Sequence, residues 1–188
     1  MALLASAALQ ERPAAPASPA TSKGDTFDVT ATAAAGPASA GRITMPIVIQ
    51  IDRYTPAHAR TTMTDALKYR GYPGFLQALR EAPKVGTLSM GDQTFAIRWA
   101  RQVPAGAGRD ISIVTDKPVH FIGGGRPGAK STAGYEVAVV QLTVDASGHG
   151  TGTMAAAARV KPRGPTGVQV DDYAETPVKL TAVARPRT

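Results

Sequence analysis

From Thr26 onward the chain alternates apolar and polar positions with a period of two, except between residues 56 and 82, where the period becomes helical. Phe27, Val29 and Ala31 open the alternation, and Gly36 and Pro37 end it. Ile43, Met45, Ile47, Ile49 and Ile51 then take every second position, which places five large side chains on one sheet face. Pro46 lacks a ladder donor, so that end of the strand is expected at an edge or a bulge. After the helical stretch, Lys84 to Met90 and Thr94 to Gln102 form a hairpin through Gly91 and Asp92, with Phe95, Ile97 and Trp99 on one face and Arg98 on the other. Arg109 to Asp116 follows, its Ile111 and Ile113 expected to meet Ile97 and Trp99. Val119 to Ile122 reads as a short strand before a loop from Gly123 to Gly134. Tyr135 to Val144 is apolar at nearly every position, the pattern of a strand covered on both faces. A turn at Asp145, Ala146, Ser147 and Gly148 leads into Thr151 to Val160. The segment Pro162 to Gly167 precedes two last strands, Val168 to Val170 and Val178 to Val183.

Two short helices are expected within residues 56–82. Thr55 is placed to cap the first, Pro56 suits its first turn, and Gly71 offers a left-handed stop. Ala59, Met63, Ala66 and Leu67 share one face. The second starts at Pro73, carries Phe75, Leu76 and Leu79 on a stripe, and ends before Pro83. Neither is long enough to persist alone, so both must dock on the sheet. The fold class is therefore α+β, mainly β: an antiparallel barrel or sandwich of about eight or nine strands with a two-helix insertion. Residues 26–188 form one domain, and residues 1–25 read as a signal remnant and a Pro/Ala-rich linker. Met1 to Leu9 is apolar, with Ala5, Ser6 and Ala7 fitting a cleavage pattern of small residues. These features point to a secreted or periplasmic protein.

Composition narrows the chemistry. The absence of cysteine removes disulfides, thiolate zinc sites and cysteine nucleophiles, and no apolar run reaches the length of a membrane-spanning helix. The net charge of +7 would attract polyanions, but basic and acidic residues are interspersed, which makes nucleic acid a poor partner. Gly123, Gly128, Lys130 and Ser131 nearly spell a phosphate loop. Ala129 spoils the spacing and a strand follows instead of a helix, so no nucleotide or other cofactor is expected. His58, His120 and His149 have no ligand spacing, and no metal is expected. Asp171, Asp172 and Glu175 offer carboxylates, but neighbours in a strand face opposite ways, so a turn is expected there. A G-x-S-x-G elbow is absent. Trp99, Phe95, Tyr69 and Tyr72, with Arg98 and Arg101, are the candidate lining of an apolar pocket between helices and sheet. The same aromatic residues also suit a plain core.

The order of local features, two helices, then Pro83, Lys84, Val85 and Gly86, then Arg98, Ala100 and Arg101, then Ile113 to Pro118, is collinear with a known pattern. Gly148, Gly150 and Gly152, and Tyr173, Ala174, Pro177, Val178 and Leu180, continue it. Over Gly41 to Arg185 the chain resembles a family of predicted secreted bacterial proteins without an assigned function. The resemblance implies export and a domain of this length, and brings no catalytic residues. The loop Gly123 to Lys130 departs from it, since the family has an aromatic and polar segment there. The expected function is a non-enzymatic binding or envelope-associated protein whose partner is a small apolar ligand or an envelope component. An exported hydrolase and a basic module binding anionic polymers are the alternatives.

Overall fold

Period-two alternation becomes a sheet that closes on itself. The computed structural model describes residues 23–34, 42–119, 133–163, 167–173 and 177–185. Its elements are β1 (Lys23–Ala34), β2 (Arg42–Arg53), α1 (Ala57–Glu81), β3 (Gly86–Met90), β4 (Gln93–Ala105), β5 (Gly108–Thr115), β6 (Val137–Val144), β7 (Gly150–Arg163), β8 (Gly167–Asp172) and β9 (Val178–Ala184). Strands β1 to β7 pair in order, and β9 lies between β7 and β1, closing an antiparallel barrel of eight strands. A ninth strand, β8, pairs with Ala158 to Arg163 of β7. Barrel and not sandwich is thus the architecture. As the proline suggested, Pro46 lies in an edge segment: β2 meets β3 only from Val48 onward.

An eight-stranded barrel has an interior just wide enough for side chains to fill. Here Phe27, Ile47, Ile49, Ile51, Leu88, Ile97, Ile111, Ile113 and Leu142 fill it, all but inaccessible to solvent. Strand β6 accounts for its own composition. Ala138, Val140, Leu142 and Val144 face the interior, whereas Val137 and Val139 face outward and are covered by α1.

The helical region departs from expectation in a specific way. It runs as a single element, Ala57–Glu81, interrupted at Gly71, whose non-helical backbone (φ 67°, ψ −166°) breaks it at the residue expected to stop the first helix. Both ends are tied to β4. At the start, Thr55 N–H donates to Ala100 O (2.8 Å) and Ala100 N–H donates to Thr55 Oγ1 (2.9 Å). At the end, Arg98 Nη1 donates to Ala82 O (2.7 Å). Past the bend, the Tyr72 hydroxyl donates to Ala158 O of β7 (3.4 Å) and accepts from Glu136 N–H (3.1 Å). A chain tied to β4 at both ends and to β7 at its middle must double back, and only glycine takes the Gly71 conformation without strain. Thr55 therefore ties the coil before α1 to β4 and is not a helix cap; Pro56 holds the N-cap position with no side-chain bond. Met63, Leu67, Phe75 and Leu79 are buried against Val114, Val137, Val139 and Val160 on the outer wall.

Three further expectations are corrected. Between Ile97 and Trp99 the β4–β5 register shifts: Ile97 pairs with Thr115 but Trp99 with Val114. This bulge adds one residue to β4, so Arg98 and Trp99 both end on the outer wall and Ala100 turns inward. Trp99 consequently packs with the α1 cluster and not with Phe95 and Ile97, and Ile113 meets Ala100. Asp171 and Asp172 lie in strand β8 and not in a turn. Val119, expected to open a strand, is a buried coil residue whose N–H donates to Ala156 O (2.7 Å). His120 and the rest of that strand, the Gly123 to Ser131 motif, Glu175, and the Met1 to Leu9 and linker segments before Lys23 lie outside the described residues.

Candidate functional site

A groove runs over the outer wall where α1 and β8 stand either side of it. Its floor follows from strand register. Trp99, Val114, Val139 and Ala155 pair in sequence across β4, β5, β6 and β7, giving an apolar row. Two residues further along, Arg101, Ser112, Gln141 and Thr153 pair in the same way, giving a polar row. Cross-strand neighbours on one face lie about 5 Å apart at Cβ, so each row is continuous. Helix α1 covers much of the apolar row and stops short of the polar one. The space left at this boundary has about 240 Å³ and is walled by Thr64, Leu67 and Phe75 on one side and by Val160, Val168 and Val170 on the other. It adjoins a second space of about 320 Å³, which shares Val139, Gln141 and Val170 and adds Asp172 and Pro177.

The six residues expected to line a pocket separate into two groups. Trp99 and Arg101 line the groove, brought to the outer wall by the bulge at Arg98. The others lie elsewhere. Phe95 is part of the barrel interior, Tyr69 is 74 % exposed on α1, and Tyr72 is buried under the bend. Burial raises the Tyr72 hydroxyl well above its ordinary value, so it stays a neutral hydrogen-bonding group. Arg98 is committed to Ala82 O and to Asp116 (3.5 Å). Reading the sequence missed Ser112, Gln141 and Val168 as lining residues, since each is an ordinary outward position until register and α1 place it.

By contrast, Arg101, Ser112 and Gln141 make no side-chain hydrogen bond or ion pair among the described residues. The next row outward is satisfied within itself: Thr143 Oγ1 donates to Asp110 Oδ1 at 2.8 Å.

In the exposed β6–β7 turn, Ser147 Oγ lies 2.8 Å from His149 Nδ1 and donates to Asp145 Oδ1 (2.6 Å). The aspartate bonds the serine hydroxyl and not the imidazole ring, so it does not orient that ring as a base. The same carboxylate accepts Ser147 N–H (2.8 Å) and His149 N–H (3.0 Å), which makes this a turn motif. Hydrogen bonds from Ser147 and the His149 backbone hold the Asp145 carboxyl below its usual range. His58 is exposed on α1. Among the described residues no cluster of three His, Asp or Glu is arranged to hold a metal ion, and no helix is long and apolar enough to cross a membrane.

A second polar assembly closes one barrel mouth. Asp25, 5 % exposed at its side chain, accepts from Arg109 through both oxygens (2.9 Å each), from Arg185 (2.7 Å) and from Tyr54 (2.6 Å). Arg109 also donates to Gln102 Oε1 (2.6 Å). Burial works to raise the Asp25 carboxyl, but the arginine and tyrosine bonds and the two positive charges outweigh it and leave the group below its ordinary 3.8. Every acceptor site on this carboxylate is used, so the assembly is a clasp and offers no reactive group.

No family model, curated protein or solved structure matches this chain. Function has to be read from the groove itself.

Proposed function

We propose that this protein is a non-enzymatic binding protein that takes a small, largely apolar ligand into the groove between α1, β8 and the outer wall of the barrel. The observation that carries the reading is the groove's position: the barrel interior is already filled, yet an apolar floor with its only tryptophan stays accessible outside it. Small-molecule sites are typically concave, mostly apolar and edged by a few polar groups, as this one is. A location outside the cytoplasm, secreted or periplasmic, belongs to the same proposal and is supported by the Ala5, Ser6 and Ala7 pattern and by the resemblance to exported proteins.

Trp99 is the natural reporter. Titration with the neutral apolar dye N-phenyl-1-naphthylamine is expected to give saturable dye emission with a matching change at Trp99. Val168→Asp places a charge on a groove wall at a position 46 % exposed, and should weaken dye binding about tenfold or more without moving the melting temperature. Failure of the dye to saturate, or equal binding by Val168→Asp, would remove the groove as a site.

A further inference from the structure

We infer that the groove selects a small monoanionic amphiphile, a monocarboxylate, with its head at Arg101, Ser112 and Gln141 and its apolar body over Trp99, Val114 and Val139. The inference rests on the groove being a binding site and adds the chemistry of its ligand. Arg101 pairs with Ser112 and Ser112 with Gln141, so a guanidinium, a hydroxyl and an amide stand side by side on three adjacent strands. A carboxylate can take a forked pair of bonds from the first and single bonds from the others. One free surface arginine means little. Here it stands in line with two further polar side chains that have no side-chain partner among the described residues, directly beside the apolar row, while in the row beyond Thr143 bonds Asp110.

Charge and size restrict the ligand further. Among the described residues Arg101 is the one basic side chain lining the groove, which matches one negative charge and leaves a dianion under-neutralised. A cavity of about 150 Å³ holds one benzene ring. Space of about 240 Å³ therefore takes a ring with a short arm or a short acyl chain, and not a two-chain lipid.

Three probes with one tail and different heads test this on the full chain: octanoate, octanol and octylamine, followed by calorimetry and Trp99 emission. Octanoate should bind about tenfold more tightly than octanol, the size of one charge-assisted contact, with octylamine weakest. Arg101→Gln should bring octanoate to the octanol level and leave octanol unchanged, and Arg101→Lys should keep part of the preference. The melting temperature of Arg101→Gln should match that of the parent, since the side chain makes no hydrogen bond or ion pair among the described residues. Equal affinity for octanoate and octanol, a preference that survives Arg101→Gln, or octylamine binding best would overturn the head-group inference while leaving the groove. Tighter binding of octyl phosphate than octanoate would overturn the monoanion. No binding of any probe, with the neutral dye also failing, would instead remove the groove reading on which this one stands.

Discussion

The Asp25 carboxylate joins segments up to 160 residues apart in sequence, a start, a middle and an end held at one atom pair. Its carboxyl is depressed below 3.8, so its contribution to stability is fully present above about pH 4 and is lost as pH falls through the folded-state value. Asp25→Asn should cost about 2–3 kcal/mol at neutral pH, because partly buried arginines lose their partner. It should also flatten the acid limb of stability against pH, as urea unfolding at a series of pH values would show. A smaller effect belongs to Ala182. Strand β9 carries one residue more than both neighbours between Leu180 and Ala184, and the extra residue adopts φ 50°. Ala182→Gly should relieve that conformation and raise stability by up to about 1 kcal/mol in the same assay. Nothing local to Asp25 or Ala182 in the sequence announces these roles. An aspartate at the end of an alanine-rich stretch looks like part of a linker until Arg109 and Arg185 arrive from elsewhere.

Helix α1 is held by packing. Met63, Leu67, Tyr72, Phe75 and Leu79 together contribute about 10 kcal/mol gross on burial, an upper bound because unfolded chains already hide some of that surface. Leu79→Ala should cost about 2–5 kcal/mol through lost transfer energy and a residual cavity, and the neighbouring exposed Arg80→Ala little; urea midpoints of the two variants give the comparison. Gly71→Ala should cost about 1–3 kcal/mol, since φ 67° with ψ −166° belongs to glycine almost alone. Elements of this kind were legible. Alternation in β1 and β2, the double coverage of β6, and the apolar stripes around Met63 and Phe75 depend on period alone, which the sequence displays. The bulge at Arg98 was not. Residues 95 to 101 keep their alternation in the sequence, and the switch of Trp99 to the outer wall comes from pairing with β5 and from partners for Arg98 at Ala82 and Asp116. Because the candidate site depends on that switch, Trp99 and Arg101 were recognisable as residue types, while Ser112, Gln141 and Val168 became visible only with the register.

Closing eight strands around a filled interior leaves no room for a ligand inside, and the site proposed above lies on the outer wall where α1 and β8 rise above it. Closure also brings the two ends of the described chain together, Asp25 against Arg185. A permuted chain joined between those ends and opened at the exposed Gly106–Ala107 turn should therefore recover the same barrel, with far-UV dichroism and Trp99 emission like the parent's. The seam that makes this permutation feasible, β1 against β9, has a cost in time. During synthesis at about 5–20 residues per second, β1 waits on the order of 10 s for β9 to be made, with the backbone groups along that side unpaired. Until the last strand arrives the sheet can only be open, and its N-terminal edge is free to pair with another chain. Anything that halts synthesis before Val178 thus yields a polypeptide holding most of its own core yet unable to hide its first strand, which makes β9, among the shortest strands, the one that turns an adhesive sheet into a sealed one.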